Sequence, residues 1–232
     1  MLKSQIVMLK VIRYSLIGMF LLSALVFHGC EKESKLPVDG DGNVYDTVRI
    51  GTQTWLAEDL KTTKYNNGVS IPLVTDNTQW ASMSSAAFCW YGNNPAFKEN
   101  YGALYNWYAA KVSFLCPAGY HVPSKEEWQT LIDYLGGEEI AGDKLKAAGT
   151  QFWSSGNYST NESRFTAMPG GNRSHNEGTF NDIRSRGSWW STSSWSYDNY
   201  AYLLRMDYNY SSAKTAVWFK KAGFSVRCIK DD

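Results

Sequence analysis

The mature part of this sequence predicts a mixed α+β domain of short strands, two helices and long loops, and three stretches carry that reading. Residues 44–50, "VYDTVRI", alternate and are β-branched, as a half-buried strand requires. Residues 124–135 carry a helix start and an apolar stripe. From Thr150 onward the chain is rich in Gly, Ser and Asn with scattered aromatics and has almost no helical period, so it reads as long loops carried on short strands.

The elements follow in order. After the strand at 44–50, "GTQT" (51–54) reads as a turn and "WLAEDL" (55–60) begins the next strand or extended segment. "YNNG" (65–68) is a second turn signal. In "YGALYNWYAAKV" (101–112), Leu104, Trp107, Tyr108 and Val112 fall at helical spacing and predict a short helix. "HV" (121–122) is strand-like and Pro123 interrupts it. Ser124 then caps a helix, with Glu127 three residues on to complete a capping box. Trp128, Leu131, Ile132 and Leu135 make its apolar stripe, and Gly136 suits a left-handed cap. Phe224, Val226 and Cys228 alternate in "FSVRCI" and predict a final buried strand.

Residues 1–30 are an address rather than part of the fold. Lys3, Lys10 and Arg13 precede an apolar run from Tyr14 to Phe27, too short for a typical membrane-spanning helix, and Gly29 and Cys30 close it. The segment resembles a bacterial lipoprotein signal, which implies lipidation of Cys30 and membrane attachment through that lipid. The alternatives are an ordinary secretory signal cleaved nearby and an uncleaved anchor. "EKESK" after Cys30 is similar to runs that send such lipoproteins to the outer surface, so the expected location is the outer membrane, facing outward. Residues 31–42 read as a tether and 43–232 as the domain. "DGDGN" (39–43) echoes a calcium loop, but Val44 stands where that loop needs Gly and Ile50 where it needs an acid, so a hairpin entry is expected. Export exposes Cys89, Cys116 and Cys228 to an oxidising compartment, where three thiols allow one internal bridge at most.

Composition narrows function. The net charge of +1 gives no sign of a nucleic-acid partner. Ten Trp and fifteen Tyr in 232 residues fit either a binding surface or a β-rich core with aromatic cross-strand pairs. HExxH, zinc-type Cys/His spacing, a Gly-rich phosphate loop and GxSxG are all missing, so neither an enzyme nor a metal or cofactor is expected.

Five stretches together resemble one family: "GTQTWLAEDLKTTKYNNG" (51–68), "YGALYNWYAA" (101–110), "LCPAGYHVPSKEEW" (115–128), "RFTAMPGGNR" (164–173) and "GFSVRC" (223–228). They are similar to the Fibrobacter succinogenes major paralogous domain over roughly residues 40–231. The resemblance implies a fold related to C-type lectins and to formylglycine-generating proteins. It also implies a Cys116–Cys228 disulfide, which leaves Cys89 as a free, buried residue. The formylglycine relatives use a cysteine pair that this chain does not offer, and the usual calcium-dependent sugar motifs of C-type lectins are missing.

Within such a fold, residues 187–212, "GSWWSTSSWSYDNYAYLLRMDYNYSS", draw most attention. Tyr and Trp supply contact area while Ser, Gly and Asn adapt by hydrogen bonding, the composition that antibody loops use. The segment also resembles the variable region of diversity-generating retroelement targets. The candidate ligand residues are Trp195, Tyr197, Asp198, Asn199, Tyr200, Tyr202, Asp207, Tyr208, Asn209 and Tyr210. Trp189, Trp190, Leu204 and Met206 are assigned to the frame. The expected function is ligand binding at the cell surface, with a protein or a glycan as partner. The alternative is a structural envelope or adhesin module in which the same aromatics are packing residues.

Overall fold

The alternating stretch near the start forms β1 (Thr47–Ile50), and a two-residue turn with Gly51 at φ 61° returns the chain as β2 (Gln53–Leu56). Hairpin turns this short need positive φ, which glycine adopts without strain. The computed structural model describes residues 35–232, so the signal segment, Cys30 and the first residues of the expected tether lie outside the described residues. The described remainder of that tether is part of the domain: Val38 bridges Val44, and the Tyr45 N–H donates to the Pro37 carbonyl at 3.0 Å. The Asp39 carboxylate accepts from the N–H groups of Asp41 and Asn43 and from the Tyr45 hydroxyl, at 3.0, 3.0 and 2.7 Å. "DGDGN" is thus a hairpin entry whose leading carboxylate is occupied by chain donors.

Next come α1 (Asn77–Ser82), β3 (Phe88–Cys89), α2 (Lys98–Tyr101), β4 (Leu104–Tyr105) and α3 (Trp107–Ala110). The helix expected over 101–112 is therefore only four residues long. Leu104 and Tyr105 instead pair with Cys89 and Phe88, and the Asn106 side chain accepts from the Ala109 N–H to start the helix late. Tertiary burial of Leu104 and Trp107 gave the sequence a helical period that the backbone does not follow.

After β5 (Tyr120–His121), helix α4 (Lys125–Tyr134) begins at the expected capping box: Ser124 Oγ accepts from the Glu127 N–H, and the Glu127 carboxylate accepts from the Ser124 N–H. Gly136 and Gly137, at φ 103° and 98°, then turn the chain into a helix the sequence did not announce, α5 (Glu138–Leu145). The remaining strands are β6 (Asn172–Arg173), β7 (Phe180–Asn181), β8 (Arg186–Ser194), β9 (Tyr200–Asp207), β10 (Lys214–Phe219) and β11 (Ile229–Lys230).

The domain is α+β, with four small antiparallel sheets: β1-β2-β11-β5, β10-β9-β8, β3-β4 and β6-β7. The three-stranded sheet has a core on each face. Adjacent strand residues point to opposite faces, so Trp189 and Leu204 join Trp55, Trp128, Phe165 and the apolar stripe of α4 in one core. Trp190 and Leu203 join Tyr105, Phe224 and Val226 in the other. Trp189, Trp190, Leu204 and Met206 are thus frame residues, as expected.

The final segment departs from a simple strand. Phe224, Val226 and Cys228 do share one core, but Ser225 and Arg227 between them are buried too. The segment threads between sheets: Phe224 bridges Tyr105, Ser225 bridges Trp189, and only Ile229 and Lys230 join β2 and β5. Arg227 contacts Asp59 Oδ1 through Nε at 2.8 Å and Nη2 at 2.6 Å, and the Trp189 indole donates to the same oxygen at 2.8 Å. Cys228 is bonded to Cys116 across a separation of 112 residues, a closure that contributes about 4–5 kcal/mol in the chain-entropy description. Cys89 is free and fully buried, and burial pushes its thiol up to about 12.

Candidate functional site

The region expected to be loops is a long β-hairpin. Its lower half is regular, with Arg186 opposite Asp207, Trp189 opposite Leu204 and Trp190 opposite Leu203. Above Trp190 the register shifts before Ser194 meets Ala201, so β8 bulges. The serines of "STSS" serve that bulge. The Thr192 N–H donates to the Pro123 carbonyl at 2.9 Å, and Ser193 Oγ accepts from the Lys125 N–H at 3.0 Å, tying the strand to the start of α4.

Beyond the bulge, residues 195–199 form an exposed tip. Trp195 packs edge-on against Tyr197 and Tyr200, with ring centroids 5.2 and 6.0 Å apart. Tyr200 leans on Phe219 of β10 at 4.4 Å, and Phe219 lies parallel to the His175 ring at 3.8 Å. Five rings thus run in series from the tip across the sheet edge. Tyr197 is 65% exposed and Trp195 37%, so much of this aromatic surface faces solvent. Lys220, itself buried, holds the tip: its ammonium donates to the Asp198 carbonyl at 2.6 Å and Ser194 Oγ at 2.8 Å, and lies 4.2 Å over the Trp107 ring.

The ten candidates do not form one patch. Trp195, Tyr197, Asp198 and Asn199 belong to the tip, and Tyr200 packs against it from the start of β9. Tyr202 lies part-way along β9 with the Lys125 ammonium 4.6 Å from its ring centroid. Asp207, Tyr208, Asn209 and Tyr210 sit at the opposite end of β9, about 23 Å from Tyr200 at ~3.3 Å per residue. Asp207 is engaged internally: burial disfavours its charge, but hydrogen bonds from Arg205 and Arg186 outweigh that and hold its carboxyl below the usual range. Tyr210 is 61% exposed, while its carbonyl accepts from Lys146 at 2.7 Å.

Sequence reasoning missed a concavity beside the hairpin. A cavity of about 370 Å³ opens where β6 and β7 face the three-stranded sheet, lined by Asn172, His175, Asp182, Arg186, Arg205 and Trp218 among others. None of the ten candidates lines it. No local pattern announced it: Trp218, 42% exposed in edge strand β10, is one of ten Trp in the sequence, and its exposure is set by the fold.

The model of the Fibrobacter succinogenes major domain family matches residues 48–230. The chain belongs to that family. The match begins within β1 and ends in β11, so the major domain includes the hairpin, its tip and the cavity. No match was found among curated proteins or among solved structures.

Proposed function

We propose that this major domain is a non-enzymatic binding module, tethered to the outer membrane through a lipid on Cys30, that captures a protein or glycan with the tip of the β8–β9 hairpin. The observation that carries the reading is the exposed ring series Tyr197–Trp195–Tyr200–Phe219–His175, held in place by Lys220. Rigid, exposed aromatics bind with little ordering cost, because the surface is already in its binding arrangement. The frame beneath is the C-type lectin-like arrangement that the family resemblance implies. The tip, at residues 195–199, is where retroelement diversification would alter recognition with least damage to the fold.

The test is capture by the full-length protein in detergent on protein and glycan arrays. A triple substitution of Trp195, Tyr197 and Tyr200 by Ala is expected to weaken the captured ligand at least tenfold, about 1.4 kcal/mol. Unchanged capture would remove the tip from the function. Metabolic labelling with a palmitate analogue, lost on Cys30→Ala, tests the anchor. A genomic near-copy of residues 187–212, differing mainly at adenines, tests diversification.

A further inference from the structure

The cavity beside β6 and β7 has the chemistry of a second site. It exists because the sheet offers small side chains there: Ala216 lies opposite Leu203, and Ser188 opposite Arg205. Its volume of about 370 Å³ lies within the ~300–1,000 Å³ range of small-molecule sites. Leu203 and Phe224 supply a buried apolar part of the lining, and Trp218 presents an exposed ring beside them.

The charges in the wall are compensated internally. Asp207 receives Arg186 Nε at 2.7 Å and Arg205 Nε at 2.9 Å, and Asp182 receives Arg186 Nη1 at 2.5 Å. An added anion would meet arginines already neutralised by Asp182 in the lining and by Asp207, and an added cation would meet the arginines. Hydrogen-bonding capacity remains. Arg186 Nη2 and Arg205 Nη1 have no protein partner among the described residues, although both guanidinium groups are fixed by their other nitrogens. Asn172 is oriented by donating Nδ2 to Asp182 at 2.9 Å, which leaves its carbonyl oxygen available as an acceptor. The wall therefore presents oriented donors and an acceptor, no net charge from these four ionised side chains, and one open aromatic face.

That combination fits a ligand with many hydroxyls, each both donor and acceptor, and a flat C–H face for an indole. We propose that the cavity binds a neutral sugar ring, with Trp218 as its platform and Arg186, Arg205 and Asn172 reading its hydroxyls. The site shares only His175 with the aromatic tip and does not depend on the tip's function.

The experiment uses full-length protein in lauryldimethylamine oxide, a detergent without a sugar headgroup. The probes are neutral mono- and disaccharides of gluco, galacto, manno and N-acetylglucosamine configuration, with sialyllactose as the charged comparison. Saturation-transfer NMR is expected to show transfer to the ring C–H protons of at least one neutral sugar. Calorimetry is expected to show at least tenfold weaker binding in Trp218→Ala and partial retention in Trp218→Phe. Because Trp218 is exposed on an edge strand, its variants are expected to keep the parent thermal midpoint, and a shared midpoint certifies the comparison. If Trp218→Ala unfolds, Asn172→Ala takes its place with the same tenfold expectation. Absence of transfer from every neutral sugar, preference for sialyllactose, or undiminished binding in the folded variant would overturn the proposal. Sugar binding lost in Tyr197→Ala but kept in Trp218→Ala would also overturn it, while leaving the tip reading intact.

Discussion

At one end of β9 the chain runs from Trp195 to Tyr200, and at the other from Asp207 to Ser212; apart from Trp195, both stretches consist of Tyr, Ser, Asn and Asp. Both turns are also held by a buried lysine. Lys220 donates to the Asp198 carbonyl and lies over Trp107, while Lys146 donates to the carbonyls of Asp207 and Tyr210 and lies 5.4 Å from the Trp153 centroid. The surroundings differ. The base is docked on α5: the Asp143 N–H donates to Ser211 and the Ala213 N–H to Glu138, and a Cβ on Gly142 would fall 2.4 Å from the Ser212 carbonyl. The tip is held to β10 through the backbone and ammonium of Lys220 and projects its rings outward. Similar composition therefore yields a base whose backbone is docked on a helix, with the Tyr210 ring left exposed, and a tip whose rings pack on one another and which is tied to its neighbours through Lys220.

That contrast rests on a frame common to both ends, and the most damaging test removes the frame. Arg227→Met strands the Asp59 carboxylate without its partner and is expected to cost about 3–5 kcal/mol in urea denaturation, since an uncompensated buried charge is expensive. A loss below about 1 kcal/mol would show that water or rearrangement replaces the pair, outside the range of broken buried pairs.

The two lysines sharpen the comparison directly. Lys146→Met is expected to cost about 2–3 kcal/mol, because the fully buried Lys146 side chain gives up two carbonyl hydrogen bonds and its ion pair with Asp143. Lys220→Met should cost only about 1 kcal/mol, because the exposed Ser194 and Asp198 can turn to water. Equal losses would mean that the tip is as deeply docked as the base.

A smaller, pH-dependent effect acts where β8 is tied to α4. His121 lies 2.8 Å from Glu127 and 2.6 Å from Asp231; the Glu127 hydrogen bond and then that of Asp231 outweigh burial and raise its pKa from 6.5 to about 9. A raised folded-state pKa means the contribution is complete below pH 6.5 and is lost as pH rises through 9. Stability is expected to fall by on the order of 1 kcal/mol across that window, reduced by the ring's partial exposure. His121→Gln should flatten the slope, and a parallel profile for the variant would exclude His121 as the cause.

The smallest effects belong to the exposed rings. Tyr197→Ala and Tyr210→Ala are each expected to change stability by no more than about 0.5 kcal/mol in thermal or urea unfolding. A larger loss at Tyr210 alone would extend the docking of the base to its side chain.

Features written in local chemistry were legible in the sequence. The Ser124–Glu127 capping box requires only residues three apart, and the α4 stripe only the helical period, so both could be located before folding. The strand at β1 and the turn at Gly51 are local in the same sense. Trp189, Trp190, Leu204 and Met206 could be assigned to the frame by their size and apolar character among polar neighbours, and the Cys116–Cys228 pairing followed from the family resemblance. Tertiary structure decided what depends on partners far along the chain. It cut the expected helix at 101–112 to four residues by pairing Leu104 and Tyr105 with β3. It split one aromatic segment into a base docked through its backbone and a tip tied through Lys220, and it drew Trp218 and Arg205 together with Asn172 around a cavity. Helix caps and periods are set within a few residues by backbone hydrogen bonding, whereas exposure and cavities are set by which distant surfaces close together.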